Sequence, residues 1–369
     1  MRTSFPLTRP LCAAMFTLWG CSGTPSTSGG VGGVGGSTAS PGNSGGAPLG
    51  GANTTSTNVN SGGSNAGTGG KGVNAATGGK GVGGATPGTS GQGGSTVVNT
   101  SGACTMGTWP AADPSVSGPF ATVTEENVGP QAGAGVDGGT PPQFTLFRPK
   151  DLAQGGLCHP IVTWGNGTGS TPSIYKVLLN ALASHGFVVI ASNSLNVGTG
   201  TPAPMVVGVT WVIEQNSDPT SPLYQKIDTA HVGATGHSQG GFATTSAGAD
   251  AHITAIAPIC GASTQRNLHG PALLLCGGQD TTVPCDGMIQ TAFNGITNQP
   301  VMLADFLAAN HASWLSFRAG TLSPVETAVV AWMRVHLLGD TALRPRFYGA
   351  TCTLCQDAAW KISQKMMDQ

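Results

Sequence analysis

The pentapeptide Gly-His-Ser-Gln-Gly at residues 236–240 contains the side chain of this chain best suited to act as a nucleophile. A short apolar run, Val232–Thr235, precedes it and Gly241 follows it. This pattern predicts a strand, a sharp turn and the start of a helix, with the serine on the turn. Glycines on either side remove the Cβ atoms that would collide with the neighbouring strand and helix. The sequence therefore predicts an exposed Ser238 hydroxyl above the end of a sheet.

An acid and a base for this serine follow it along the chain. Asp280 ends an apolar strand through a glycine turn, and His311 lies in the loop after a second strand. A serine hydroxyl is a poor nucleophile at neutral pH, so an imidazole must take its proton and a buried carboxylate must orient the imidazole. The order Ser, Asp, His is that of the α/β-hydrolase arrangement. We predict Ser238, Asp280 and His311 as the catalytic residues.

Each partner also has a structural interpretation. Asp280 could cap the segment after it, because Gly-Gly-Gln-Asp-Thr-Thr is also typical of a turn. His311 could be an ordinary loop histidine. His237 lies in the serine turn itself, where its ring should point away from the serine hydroxyl, and His336 lies in the last predicted helix. Asp305, inside a predicted strand, fits a structural role better.

Ester hydrolysis also needs hydrogen-bond donors for the developing oxyanion, usually backbone amides fixed by the fold. One donor is the N–H of Gln239, directly after the nucleophile. The second should come from the glycine-rich loop after the strand at 160–164, where we choose Asn166, with Gly167 and Thr168 next. No Gly-Lys-Ser/Thr or Gly-x-Gly-x-x-Gly helix opening follows this loop, so a nucleotide site is not indicated.

The region from Cys104 to Gln369 is long enough for one substantial domain. We predict an α/β-hydrolase fold with a mostly parallel sheet flanked by helices. A capping box with proline at the first helical position, Ser323–Glu326, begins the last helix, and Gly339 lies just beyond its end. The predicted strands are 120–125, 143–147, 160–164, 187–192, 232–235, 253–259, 272–276 and 301–307.

Beyond the catalytic motifs, several stretches resemble one known family. These are 117–120, 182–190, 221–230 and 330–341, and the resemblance covers roughly Trp109 to Gly349. The chain resembles the bacterial cutinases and poly(ethylene terephthalate) hydrolases of the α/β-hydrolase superfamily. The resemblance implies a serine esterase that needs no cofactor and no metal, with Ser238, Asp280 and His311 on the triad positions.

The chain departs from that family around the substrate. Gln239 stands where the polyester hydrolases usually have methionine, and the loop Trp164–Gly167 lacks their aromatic residue. Ile259–Ala262 stands where they carry a tryptophan. The aromatic clamp on the substrate ring is therefore predicted to be absent. The resemblance implies esterase chemistry more firmly than cutin or plastic as the substrate, and a lipase or an acyl-polysaccharide esterase remains an alternative.

The N-terminal region is typical of an exported protein. Arg2 and Arg9 precede the apolar run Leu11–Trp19, which meets Gly20 and Cys21. We interpret residues 1–21 as a secretory signal with a lipobox, in which Cys21 is lipidated. Trp19 is unusual in the position before the glycine of a lipobox, so ordinary signal cleavage is the alternative. Residues 22–103 are rich in Gly, Ser and Thr and are predicted to be a disordered linker, with a reach of roughly 50 Å.

The low charge of the chain limits the kinds of molecule it is expected to bind. Only 8% of residues are charged and the net charge is −1, so we expect a neutral ester substrate, no nucleic acid, membrane contact only through Cys21, and a monomer. A non-catalytic surface-binding lipoprotein on the same scaffold is the non-enzymatic alternative.

Seven of the nine cysteines lie in the domain, and export would oxidise most of them. Candidate pairs are Cys276 with Cys260 or Cys285, and Cys104 with Cys352 or Cys355; the Cys-x-x-Cys at 352–355 could instead be a redox or metal pair.

Overall fold

The computed structural model describes residues 104–133, 140–152, 154–198 and 203–368. The predicted signal segment 1–21, with Cys21, and the predicted linker 22–103 lie outside these residues. No helix in the described ranges is long and apolar enough to cross a bilayer.

The described residues form one nine-stranded sheet in the order β1-β2-β4-β3-β5-β6-β7-β8-β9. The strands from β4 to β8 in this order run parallel, and β1, β2 and β9 pair antiparallel at the two edges. This is the predicted α/β-hydrolase fold. The strands are β1 (Thr122–Val128), β2 (Phe144–Pro149), β3 (His159–Gly165), β4 (Val188–Ser192), β5 (Ile227–His237), β6 (Ile253–Ile259), β7 (Ala272–Gly277), β8 (Val301–Phe306) and β9 (Trp360–Lys365).

Helices cover both faces of this sheet. Leu178 and Trp332 pack in the core under α1 and α5, whereas Met205 and Val209 pack in a second core under α2, α3 and α4. Because both faces are covered, the inner strands carry long apolar runs, and every residue of β3, β4 and β7 is buried. The helices are α1 (Lys176–Ser184), α2 (Ala203–Ser217), α3 (Gln239–Ala247), α4 (Gln290–Gly295), α5 (Pro324–Leu337) and α6 (Thr353–Gln356).

The start of α5 is the predicted capping box. The Ser323 hydroxyl accepts from the Glu326 N–H at 3.2 Å, and the Glu326 carboxylate accepts from the Ser323 N–H at 2.9 Å. Gly339 follows the helix with φ 66°, as expected for a residue just beyond a helix end. Both ends of this helix were therefore predictable from local chemistry alone.

All eight predicted strands are present, with some ends shifted by a few residues, and the structure adds β9. This strand has the sequence WKISQK, with partly exposed and exposed residues after a buried Trp360. It pairs antiparallel with β8 at the sheet edge. An edge strand needs only one apolar face, so its sequence lacks the continuous apolar run by which the inner strands were recognised.

Candidate active site

Ser238 lies between the end of β5 and the start of α3, on the predicted strained turn. Its backbone has φ 55° and ψ −117°, a conformation that residues with a Cβ rarely adopt. A Cβ on Gly236 would lie 2.6 Å from the Gly240 carbonyl oxygen, and one on Gly240 would lie 2.0 Å from the Gly165 carbonyl oxygen. The two glycines are therefore required for the close approach of strand, turn and helix that presents the serine.

His311 lies in the loop after β8 and reaches the serine. Its Nε2 is 2.9 Å from the Ser238 Oγ, and its Nδ1 is 2.7 Å from the Asp280 Oδ2. With a carboxylate at Nδ1, the neutral imidazole carries its proton there and leaves Nε2 free to accept the hydroxyl proton. The three residues predicted as catalytic thus form one hydrogen-bonded chain.

Asp280 follows β7 and is held by its own loop. Its Oδ1 accepts from the backbone N–H groups of Thr282 and Val283, at 2.8 and 2.9 Å. The residue is 5% exposed. These backbone bonds make it a turn residue, as the alternative interpretation proposed, and leave Oδ2 directed at His311. The two interpretations of Asp280 are therefore compatible.

Gln239 is the first residue of α3, so its N–H belongs to the helix end where backbone donors have no intrahelical acceptor. Its side-chain Oε1 accepts from the Gly198 N–H at 3.3 Å. A Cβ on Gly198 would lie 2.5 Å from the Gln239 Cγ. The residue that replaces the family's methionine therefore packs against the loop that follows β4.

Asn166 follows β3, and its side chain is completely buried. It accepts from the Trp164 Nε1–H at 2.9 Å and donates to the carbonyl oxygens of Ser192 and Ser194, at 2.5 and 3.2 Å. These bonds fix the loop chosen above as the source of the second oxyanion donor. The neighbouring Gly167 N–H donates to the Tyr175 hydroxyl at 3.1 Å.

Three residues that the sequence analysis did not place in the site surround the base. His237 was expected to point away from the serine hydroxyl, and both its ring nitrogens bond elsewhere: its Nε2 donates to the His311 carbonyl oxygen at 2.8 Å. Trp314 Nε1–H donates to the same oxygen at 3.1 Å, and the Tyr175 hydroxyl lies 2.9 Å from the His237 Nδ1. The Trp314 contact is local, three residues along the same loop. Nothing in the spacing signals the contacts of Tyr175 and His237, because they join separate segments of the chain.

The buried Cys260 thiol lies beside the Asp280 carboxylate. Burial, together with that charge, raises the pKa of Cys260 well above its ordinary value, so the thiol is not activated for nucleophilic attack. Cys260, His237 and His311 bring possible metal-ligand atoms within 4.8 Å of one another. Both ring nitrogens of each histidine are already in hydrogen bonds, so these residues do not fit a metal site.

The disulfides correct part of the cysteine prediction. Cys276 pairs with Cys285, one of its two candidate partners, and Cys260 is free. The candidate partners of Cys104 were wrong: it pairs with Cys158, and Cys352 pairs with Cys355. The N-terminal segment of the domain runs beside the loop before β3, where the Cys158 N–H donates to the Thr105 carbonyl at 2.9 Å. Cys104 and Cys158 are 54 residues apart in the sequence, so their proximity could not be predicted from it.

The parallel sheet, the turn at Ser238 and the Ser–His–Asp chain are those of an α/β-hydrolase. A family model described as PETase, PET hydrolase-like, matches residues 87–367. The chain belongs to this family, and that membership supports a serine ester hydrolase in general. No curated protein matches the chain.

Proposed function

We propose that this protein is an exported serine carboxylesterase that acts through an acyl-enzyme. Ser238 is the nucleophile, His311 the general base and acid, and Asp280 the residue that orients His311. The backbone amides of Gln239 and Asn166 are the proposed oxyanion donors, and the reaction uses no cofactor. We include lipidation of Cys21 as the anchor, with a monomeric enzyme domain.

The observation that supports this proposal best is the order and direction of the triad hydrogen bonds. Asp280 Oδ1 is satisfied by two backbone N–H groups, and Oδ2 is 2.7 Å from His311 Nδ1. Only one imidazole nitrogen is then left to accept a proton, and it is the one 2.9 Å from the Ser238 Oγ. A binding scaffold has no need for this directed chain.

The chemistry follows from the same contacts. As the Ser238 oxygen bonds to the ester carbonyl carbon, its proton passes to His311 Nε2 and the carbonyl oxygen becomes an oxyanion. His311 then protonates the departing alkoxide, which leaves an acyl group on Ser238. Water activated by His311 attacks this acyl-enzyme and releases the carboxylic acid. Asp280 stabilises the imidazolium that forms in each half of the reaction.

The substrate we propose is a neutral ester with a small or aliphatic acyl group. The Cys260–Gly261 segment stands near the family's tryptophan position, and a Cβ on Gly261 would lie 2.1 Å from the Ser238 carbonyl oxygen. This segment therefore offers no aromatic face to a substrate ring. Lipids, polyesters and acylated polysaccharides are the alternative substrates.

A fluorophosphonate probe tests the proposal against the non-catalytic alternative. We expect the probe to form a covalent adduct on Ser238, located by peptide mass spectrometry, in the wild-type chain but not in His311→Ala. Ser246 provides an internal control, because its hydroxyl donates to the Phe242 carbonyl within α3 at 3.2 Å and has no histidine partner. An unlabelled Ser238 in the folded protein would favour a binding protein.

A further inference from the structure

Tyr175 is a buried residue that connects the loop after β3 with the loop that carries the base. It ends the short helical turn Pro172–Tyr175 and is 2% exposed. Its hydroxyl accepts from the Gly167 N–H at 3.1 Å and lies 2.9 Å from the His237 Nδ1. The triad mechanism above uses neither Tyr175 nor His237.

The direction of these bonds can be deduced from the far end. His237 Nε2 is 2.8 Å from the His311 carbonyl oxygen, which can only accept, so the proton of His237 is on Nε2. Burial, with His311 nearby, lowers the pKa of His237 to about 4, so near neutral pH the ring carries only this proton. Nδ1 is then an acceptor, and the Tyr175 hydroxyl donates to it. The chain runs from the Gly167 amide through Tyr175 and His237 to the His311 backbone.

A second donor holds the same carbonyl. Trp314 Nε1–H lies 3.1 Å from the His311 oxygen, and the Trp314 ring stacks on Tyr175 with centroids 6.5 Å apart and 18° between planes. The His311 backbone is therefore held from two sides by buried aromatic residues. The position of the imidazole depends on this backbone, to which the side chain is attached. This position matters for the rate, because a displacement of about 1 Å in a catalytic group can cost about a hundredfold.

We propose that Tyr175 and His237 are positioning residues for the general base. The His311 carbonyl fixes the proton of His237 on Nε2. Tyr175 donates to the unprotonated Nδ1 and so holds the ring, and His237 in turn holds the His311 carbonyl. If the Tyr175 hydroxyl is removed, the buried Nδ1 loses its hydrogen-bond donor and the His237 ring loses one of its two anchors, so its hold on the His311 carbonyl loosens. This proposal rests on the proposed function, since it concerns the same base.

The test compares two buried tyrosine–histidine pairs in the full chain. Tyr175→Phe removes the hydroxyl near the site. Tyr348→Phe removes a hydroxyl that lies 3.1 Å from His336 Nε2, in a ring that stacks on Trp332. With a soluble p-nitrophenyl ester, we expect Tyr175→Phe to lower kcat about tenfold with KM within about twofold. Tyr348→Phe should keep the wild-type kcat at a comparable loss of Tm.

Rates are normalised to the fraction of chains that react with the fluorophosphonate, so that unfolded protein does not imitate a lower kcat. His237→Gln supplies a conservative rescue, because its amide offers both a donor and an acceptor, and it should keep a higher kcat than His237→Phe. Equal kcat for wild type and Tyr175→Phe would overturn the positioning role. An inactive wild type would instead contradict the proposed ester hydrolysis.

Nitrogen-15 NMR of the imidazole rings gives a readout that does not need activity. In the wild type near neutral pH we expect His237 as the Nε2–H tautomer with a hydrogen-bonded Nδ1. In Tyr175→Phe we expect the same tautomer with a shifted Nδ1 resonance, because the hydroxyl donor is gone. A wild-type His237 protonated on Nδ1, or an unchanged Nδ1 resonance in Tyr175→Phe, contradicts the proposal even if no substrate is found.

Discussion

The Cα of Gly240 lies so close to the carbonyl group of Gly165 that a Cβ there would be 2.0 Å from its oxygen. Gly240 is in the first turn of α3, and Gly165 is the last residue of β3. This contact holds the start of the helix after Ser238 against the loop that carries Asn166. The backbone next to Gln239 and the backbone of Asn166, which supply the two proposed oxyanion donors, are therefore in contact at a residue without a side chain.

Gly240→Ala should destabilise the fold by about 3 kcal/mol, since the methyl group meets backbone that cannot give way. Urea unfolding measures the change. Gly107→Ala is the matched control, because a Cβ there meets only the end of the Leu157 side chain, at 2.8 Å, which can move. Equal midpoints for the two variants would contradict the tight contact.

Asp280→Asn should lower kcat for a p-nitrophenyl ester by about 10⁴-fold with little loss of folded protein. The amide no longer holds the proton on His311 Nδ1, so the base loses its correct tautomer. Asp305→Asn is the control. Asp305 is almost equally buried, at 6% exposed against 5% for Asp280, and burial raises its pKa. It should retain wild-type kcat; a comparable loss in both variants would remove the special role of Asp280.

Arg334 and Asp340 form a buried ion pair away from the triad. Arg334 Nε and NH2 lie 2.9 and 2.7 Å from Asp340 Oδ2, and Arg334 is 1% exposed. Asp340→Asn leaves that buried charge without its counter-ion, so we expect a loss of about 3–5 kcal/mol in unfolding free energy. The remaining folded fraction should hydrolyse ester at the wild-type rate per active site. Wild-type stability would show that the pair contributes nothing.

Acid should destabilise the protein between pH 6.5 and about 4. Burial lowers the pKa values of His237 and His336 from 6.5 to about 4. In this window the unfolded chain binds more protons than the folded one, so stability falls as pH falls, by roughly 3 kcal/mol for each histidine. Urea unfolding at pH 7 and pH 4.5 measures the loss. This decrease in unfolding free energy should be smaller in the double variant Tyr348→Phe/His336→Phe. A decrease equal to that of the wild type would exclude His336 as a contributor.

Most of the fold and the three residues of the Ser–His–Asp chain could be predicted because each lies in a short pattern, although 73 residues separate Ser238 from His311. The Ser238 turn, the α5 capping box and the apolar inner strands each follow from short patterns. β9 was missed because an edge strand needs little apolar sequence. The contacts of Tyr175 and His237 around His311 could not be predicted, since they arise only where distant segments meet.

Hydrolysis of p-nitrophenyl esters, from acetate to palmitate, by the purified full chain with Ser238→Ala beside it shows whether Ser238 is the nucleophile of an esterase. We predict turnover of the shorter esters by the wild type and a loss of about a millionfold in kcat in the variant. The far-ultraviolet circular dichroism of the two proteins should agree, since only one hydroxyl is removed. A folded Ser238→Ala that hydrolyses these esters at the wild-type rate would exclude Ser238 as the nucleophile.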